Sequence, residues 1–313
     1  MSDLEMAATS ELGVRPSADP SAGPASTART RSLTADAWYD LRRNWIFWVA
    51  SALVVLVVLM AVAPGLFSSA DPTACTTRRQ FAGPSGGAIF GYDFQGCDVF
   101  SRTVHGARAS VLVGVFAVLM TGVIGLVFGM LAGYFGGWLD AVLSRVVDVV
   151  LGIPLLLAAI VLSKRLSADQ QGSGIATVVI VLGILGWTTA ARVMRSSVIA
   201  ARSQDYVAAA RMLGAGPLRI MWRHILPNAL APFIVVLTIA LGTFIATEAT
   251  LSFLNIGLRP PAISWGIDIA TAGKHVRESA TPLVAPSVFL TLTVLAFIML
   301  GDAIRDAFDP KLR

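Results

Sequence analysis

Lysine is nearly missing from this chain of 313 residues: Lys164, Lys274 and Lys311 are the only three, and none precedes Ser or Thr. No phosphate-binding loop of the form G-x4-G-K-[ST] occurs, so any work drawn from ATP must enter through another protein. Histidine and cysteine are as scarce, with three and two residues. Cys75 and Cys97 have no nearby pair of histidines with which to complete a tetrahedral metal site, and His224 and His275 read as lone polar loop residues. The acidic, His and Cys positions are scattered, which leaves no cluster suited to catalysis. Charge is sparse overall, at 14% Asp, Glu, Lys and Arg, against about 25% in a soluble domain.

What is abundant is apolar sequence, at 55% of residues with a mean hydropathy of +0.72. Six runs approach the ~20 residues that cross ~30 Å of hydrocarbon. They are Trp45 to Leu66, Val111 to Phe135, Val142 to Leu162, Gly174 to Ala191, Ala229 to Thr247 and Leu283 to Leu300. Lipid offers no partner to a peptide group, and each run is far longer than a barrel strand of ~10 residues. The expected fold is therefore all-α, a polytopic membrane protein with six transmembrane helices. No removable signal peptide is expected, since residues 1–40, rich in Ser, Ala, Pro, Thr and Gly, read as a disordered cytoplasmic tail. Residues 41–109 would then hold the first span and an extracytoplasmic loop, residues 110–303 the core transmembrane domain, and residues 304–313 a cytoplasmic end.

With both termini inside, fifteen of the 24 basic residues fall on the cytoplasmic side and nine outside, the sense of the positive-inside rule. Trp45 and Trp48 beside Arg42 and Arg43 supply an interfacial belt at the first span. The formal charge of +5 follows from this placement of arginine, so the lipid bilayer, and not nucleic acid, is the expected partner.

Between the fourth and fifth runs lies a polar segment, Arg192 to Asn228, in which six arginines face only Asp205. Two short amphipathic helices fit it, one with Tyr206, Ala209, Ala210 and Leu213 on a face, the other with Leu218, Met221, Trp222 and Ile225. Gly214 suits the left-handed end of the first, Pro217 opens the second and Pro227 closes it. Asp205 would cap the first helix or pair with a basic group of a partner. The result is a hairpin exposed to the cytoplasm and built to dock a partner; the competing reading is an amphipathic helix lying on anionic lipid.

On the opposite side, Ser68 to Ala109 carries both cysteines in an oxidising compartment. A Cys75–Cys97 bridge would close a loop of about 22 residues, worth roughly 3 kcal/mol by chain entropy, and two separate thiols are the alternative. Inside the spans, Asp148 follows Arg145 at an ion-pairing interval, whereas Glu248 lacks such a neighbour. Glu248 therefore serves either a gate or cavity or hydrogen bonds to adjoining helices. Pro260 to Pro282 is too polar to cross and reads as an external helix or connector. Asp302, Arg305 and Asp306 are spaced for ion pairs along one turn.

Four blocks in order carry a resemblance. Ala208, Ala209, Ala210, Gly214, His224, Leu226 and Pro227 follow the pattern E-A-A-x3-G-x9-I-x-L-P, with Ala208 and His224 in place of Glu and Ile. FGYDFQGCDVFSRTVHGARASVLVG (Phe90 to Gly114), LSFLNIGLRPPAISWG (Leu251 to Gly266) and GDAIRDAFDPKLR (Gly301 to Arg313) supply the others. Together they resemble the permease subunits of ATP-binding-cassette importers, in particular the C-type permease of dipeptide, oligopeptide and nickel uptake systems. Cys97 stands where that family has Arg, consistent with its having a partner in Cys75. The resemblance implies a type I importer permease in a bacterial plasma membrane, with a second homologous permease, cytoplasmic ATPase subunits and an external substrate-binding protein. It also implies a peptide substrate, or alternatively nickel or another small solute. ATP and Mg would be used by the ATPase, and this chain would bind neither. Asp205, Tyr206, Ala208, Ala209, Ala210, Arg211, Leu213 and Gly214 become the expected ATPase-coupling residues. A secondary transporter, the rival class, would show a pair of interrupted spans with ion ligands near the midplane.

Overall fold

Lipid removes the hydrophobic drive between helices, so their packing depends on how closely two backbones approach. The computed structural model describes residues 33–166 and 174–308, and its central pair illustrates the rule. Gly125, Gly129 and Gly133 line one face of α3 (Val99–Phe135) at four-residue spacing. A Cβ at these positions would lie 2.8 Å from the Ala190 Cβ, 2.6 Å from the Ala191 carbonyl oxygen and 2.8 Å from the Arg195 carbonyl oxygen of α6 (Ile175–Arg202). Contact positions on the two helices rise together, so α3 and α6 run parallel at backbone contact. α9 (Leu226–Phe253) crosses them in the opposite sense, with Ile245 against Gly114 and Leu237 against Gly122. α11 (Thr281–Phe308) returns against α9 through Gly301 on Ile239 and Gly242 on Val294. α2 (Trp45–Val62) closes the bundle, its Val57, Met60 and Ala61 packed on Val104, Ala107 and Val111 of α3.

Among the described residues five helices are long and apolar enough to cross a membrane, and one bent helix pair meets the same criterion when its two halves are taken together. That pair corrects the expected third span. Val142 to Leu162 is not one helix but α4 (Gly137–Leu151) and α5 (Leu155–Leu166), bent by 86°. Pro154 has no N–H to give and its ring collides with the carbonyl four residues back, so the helix stops at Leu151 and restarts beyond the proline. Among the described residues this is the one helix pair interrupted in this way.

The other helices differ from their apolar runs at the ends, because hydrogen bonding continues where hydropathy fades. α3 starts at Val99, with the Asp98 carboxylate accepting from the amides of Phe100 and Ser101, and α6 continues through Arg202. α2 stops at Val62, where Pro64 opens a 3-10 turn to Leu66. An amphipathic helix, α1 (Leu33–Arg43), occupies the last part of the expected tail and packs Leu41 on Ala303 and Ala307. Residues 1–32 of that tail, and residues 309–313, lie outside the described residues. Since α1, α3 and α11 run through residues 40, 109 and 303, those divisions mark changes in hydropathy and not breaks in structure.

Candidate functional site

The polar hairpin follows α6. α7 (Asp205–Met212) ends in a Schellman turn: the Ala215 amide reaches the Ala210 carbonyl, the Gly214 amide reaches Arg211, and Gly214 sits at φ +81°. α8 (Pro217–Ile220) then begins at Pro217. Both turn residues behave as their chemistry requires. Pro227 does not close the second helix, however. A π turn, Met221–Ile225, leads directly into α9, and the Leu226 amide bonds to Met221 five residues back. The wider turn makes room for a ring that a regular helix would reject, and the Asn228 side chain gives the His224 carbonyl its donor at 2.8 Å. Asp205 is the first helical residue and not the cap, a role taken by Gln204. Its carboxylate instead lies in the first turn, where the helix dipole favours it.

Burial separates the two faces differently from the periodicity reading. Val207, Ile220, Met221 and Ile225 point inward and join Met130 and Tyr134 of α3 with Met194 and Val198 of α6 in one cluster, and Ala210 is buried as well. Ala210 therefore packs inside and does not belong to the outer surface, while Leu218 and Trp222 are exposed and do not share a face with Met221 and Ile225. Tyr206, Ala208, Ala209, Arg211, Leu213 and Gly214 are exposed as expected. Leu213 is 89% and Met212 83% exposed, so the tip carries an apolar knob on a basic hairpin. Met212 was not among the expected residues, although two successive apolar residues ahead of a turn glycine could not both face inward.

The arginines also divide. Arg195 places two nitrogens on the Asp140 carboxylate at 2.5 and 2.6 Å, and Arg192 meets Asp148 at 2.6 Å. These pairs tie α6 to α4, so the Arg192–Asn228 excess is smaller at the hairpin than the sequence suggests. Asp148 does approach Arg145, at 3.8 Å, but its shorter bond is to Arg192. Asp302, Arg305 and Asp306 form no ion pair with one another among the described residues.

At the far end of the bundle Cys75 and Cys97 form a disulfide. It holds the loop in which Asp93 accepts the amides of Gln95 and Cys97 at 2.8 and 2.9 Å. The segment Pro260 to Pro282 contains a helix, α10 (Trp265–Ala272), followed by a 3-10 turn, Gly273–His275. His275 is not a free loop residue: its ring stacks on Phe94 at 4.8 Å and leans on Phe81. Trp265, fully buried, donates to the Thr103 carbonyl at 2.8 Å, and Arg102 binds Asp268 at 2.5 Å. Burial pushes the Asp268 carboxyl above its ordinary range, against the opposing pull of Arg102. Glu248 is fully buried and accepts from Ser110 at 2.9 Å, Ser252 at 2.8 Å and Ser264 at 3.3 Å. These hydrogen bonds join α3, α9 and the start of α10. No group of three or more His, Cys, Asp or Glu suited to a metal ion occurs among the described residues.

Residues 125–313 match the family described as binding-protein-dependent transport system inner membrane component, and residues 32–84 match the N-terminal transmembrane domain of oligopeptide transport permease C. The dipeptide transport system permease protein DppC of Bacillus subtilis (strain 168) is 36% identical over 284 residues, covering 90% of this chain and 87% of that protein. The glutathione transport system permease protein GsiD of Pectobacterium atrosepticum is 38% identical over 277 residues, covering 88% and 90%. An inward-facing structure of the MetNI methionine ABC transporter superposes with a TM-score of 0.54 at 22% identity, over 66% of this chain and 95% of that one, which shows a shared fold. With a buried-footed hairpin between α6 and α9 and these relatives over nearly its full length, the chain belongs to the binding-protein-dependent transport system inner membrane components, with the amino-terminal segment of the oligopeptide permease C kind.

Proposed function

We propose that the chain is one of two permease subunits in an ATP-driven importer of small peptides. A second, similar permease completes the pathway, and two cytoplasmic ATPase domains bind ATP and Mg and hydrolyse it. An external binding protein delivers the substrate to the end that carries the disulfide loop and α10. Both termini and the hairpin face the cytoplasm of a bacterial cell. The peptide assignment rests on the relatives, which are named for dipeptide, oligopeptide and glutathione transport.

The observation that carries the coupling role is the two-sided hairpin. Its outer surface presents Tyr206, Met212, Leu213, Leu218 and Trp222 to solvent, an apolar patch that suits a protein cleft better than water. Its inner surface is part of the same packed cluster as α3, α6 and α9. A push on the knob therefore moves the crossings, because a close-packed core transmits displacement. Small Ala208 and Ala209 permit close approach of the partner.

Leu213→Asp tests this in the complete importer, since an exposed tip residue contributes little to folding. The expected outcome is an unchanged amount of chain in the membrane, loss of copurifying ATPase, and at least a tenfold fall in ATP hydrolysis stimulated by the loaded binding protein. Retention of both ATPase binding and stimulation would remove the hairpin from coupling.

A further inference from the structure

The break between α4 and α5 opens onto a groove of about 470 Å³. Its other walls come from Thr121 of α3, Thr188 and Thr189 of α6, and Thr243 of α9, each near the middle of its helix. The groove therefore lies near half depth in the bundle. Three features distinguish its lining from a surface made for lipid. The carbonyl of Ile153 meets no backbone N–H among the described residues, and this residue is exposed. Thr189 and Thr243 are also exposed, the Thr243 hydroxyl donating back to Ile239 at 3.2 Å and so keeping lone pairs open outward. Thr121 Oγ1, buried in the wall, has no partner. No lining residue is charged.

An unpaired peptide group in hydrocarbon costs several kcal/mol, so irregular backbone at this depth persists only where it is covered by protein or lines water. Free carbonyls and hydroxyls in an uncharged wall accept hydrogen bonds from amide N–H groups, and they discriminate little between cationic and anionic side chains. We propose that this groove is the chain's share of the aqueous translocation pathway, and that Ile153, Thr189 and Thr243 receive the backbone amides of the passing peptide. The inference rests on the importer reading above and adds where on this chain the substrate travels and by which of its groups it is met.

Labelling chemistry suits the test, because the chain's two cysteines are joined to each other and leave no free thiol. Ile153→Cys, Thr189→Cys and Thr243→Cys would each be assembled with the second permease, the ATPases and the binding protein in proteoliposomes. A small impermeant cationic methanethiosulfonate is the probe, and Val55→Cys, on the exposed face of α2, is the control. The expected result is labelling at least tenfold faster at the three groove positions than at Val55→Cys, slowed severalfold by excess dialanine during ATP turnover. Labelling of the isolated chain that disappears on assembly would make the groove a dry subunit contact and overturn the proposal. So would absence of labelling at all three positions, or labelling that dialanine leaves untouched while the importer takes it up. An importer that takes up no dipeptide yet labels at all three positions would sink the peptide reading and leave the aqueous groove standing.

Discussion

Glu248 and its three serines show how a single carboxylate organises the end of the bundle that carries the disulfide. Ser110, Ser252 and Ser264 each direct a hydroxyl to it, and each belongs to a different segment. Glu248→Ala would leave those hydroxyls without an acceptor in a site that cannot admit bulk water, and would open a void beside them. The cost is about 3 kcal/mol, combining unsatisfied polar groups with lost packing. Glu248→Gln keeps the volume and one carbonyl acceptor, and should cost about 1 kcal/mol. Thermal denaturation of the purified importer should rank the two in that order. A gate would behave otherwise, with uptake abolished in Glu248→Gln at an unaltered melting temperature.

Elements meet here by backbone approach more than by side-chain bulk. Gly129 is a point of close backbone approach between α3 and α6, where an added Cβ would sit 2.6 Å from both the Ala191 carbonyl oxygen and the Met194 Cβ. A backbone oxygen cannot rotate away, so Gly129→Leu must separate the helices, at a cost of about 1–3 kcal/mol or more. The separation would also displace the hairpin, whose feet stand on Met194 and Val198. The expected outcome is a severalfold lower membrane level of the assembled importer, read by immunoblot, whereas Gly65→Ala, with nothing within 4 Å of the new methyl, leaves it unchanged.

Across the whole molecule, a stapled loop stands at one end and an arginine-bearing hairpin at the other. Orientation converts this into a protease experiment. Arg78 and Arg79 are exposed in the disulfide loop, and Arg211, Arg219 and Arg223 are exposed in the hairpin. Of these two groups, trypsin added to sealed spheroplasts should cut only the first, and in inverted vesicles only the second. Cutting of the hairpin in spheroplasts would reverse the proposed topology. Replacement of Cys75 and Cys97 by Ser should accelerate the outer cleavage, since the staple restricts a 22-residue separation worth roughly 3 kcal/mol in the chain-entropy treatment.

Hydropathy along the chain was sufficient for the all-α class and the approximate crossings, because lipid leaves a long apolar segment no alternative to a helix. Turn chemistry was equally local: Gly214 and Pro217 act as their backbones demand wherever the surroundings place them. The four motif blocks led to the family. Position relative to distant neighbours was not legible. Periodicity groups residues on a face but does not say which face is covered, so Ala210 turned inward, and Leu218 parted from Met221 and Ile225, against expectation. Arg192 and Arg195 found Asp148 and Asp140 on α4, 44 and 55 residues away in sequence. Pro154 stood inside the expected third span, but the 86° bend and the groove beneath it arise only once α3, α6 and α9 stand alongside. Covalent geometry and solvent act on each segment separately and so can be read from sequence, whereas burial and pairing are relations between segments and exist only in the assembled bundle.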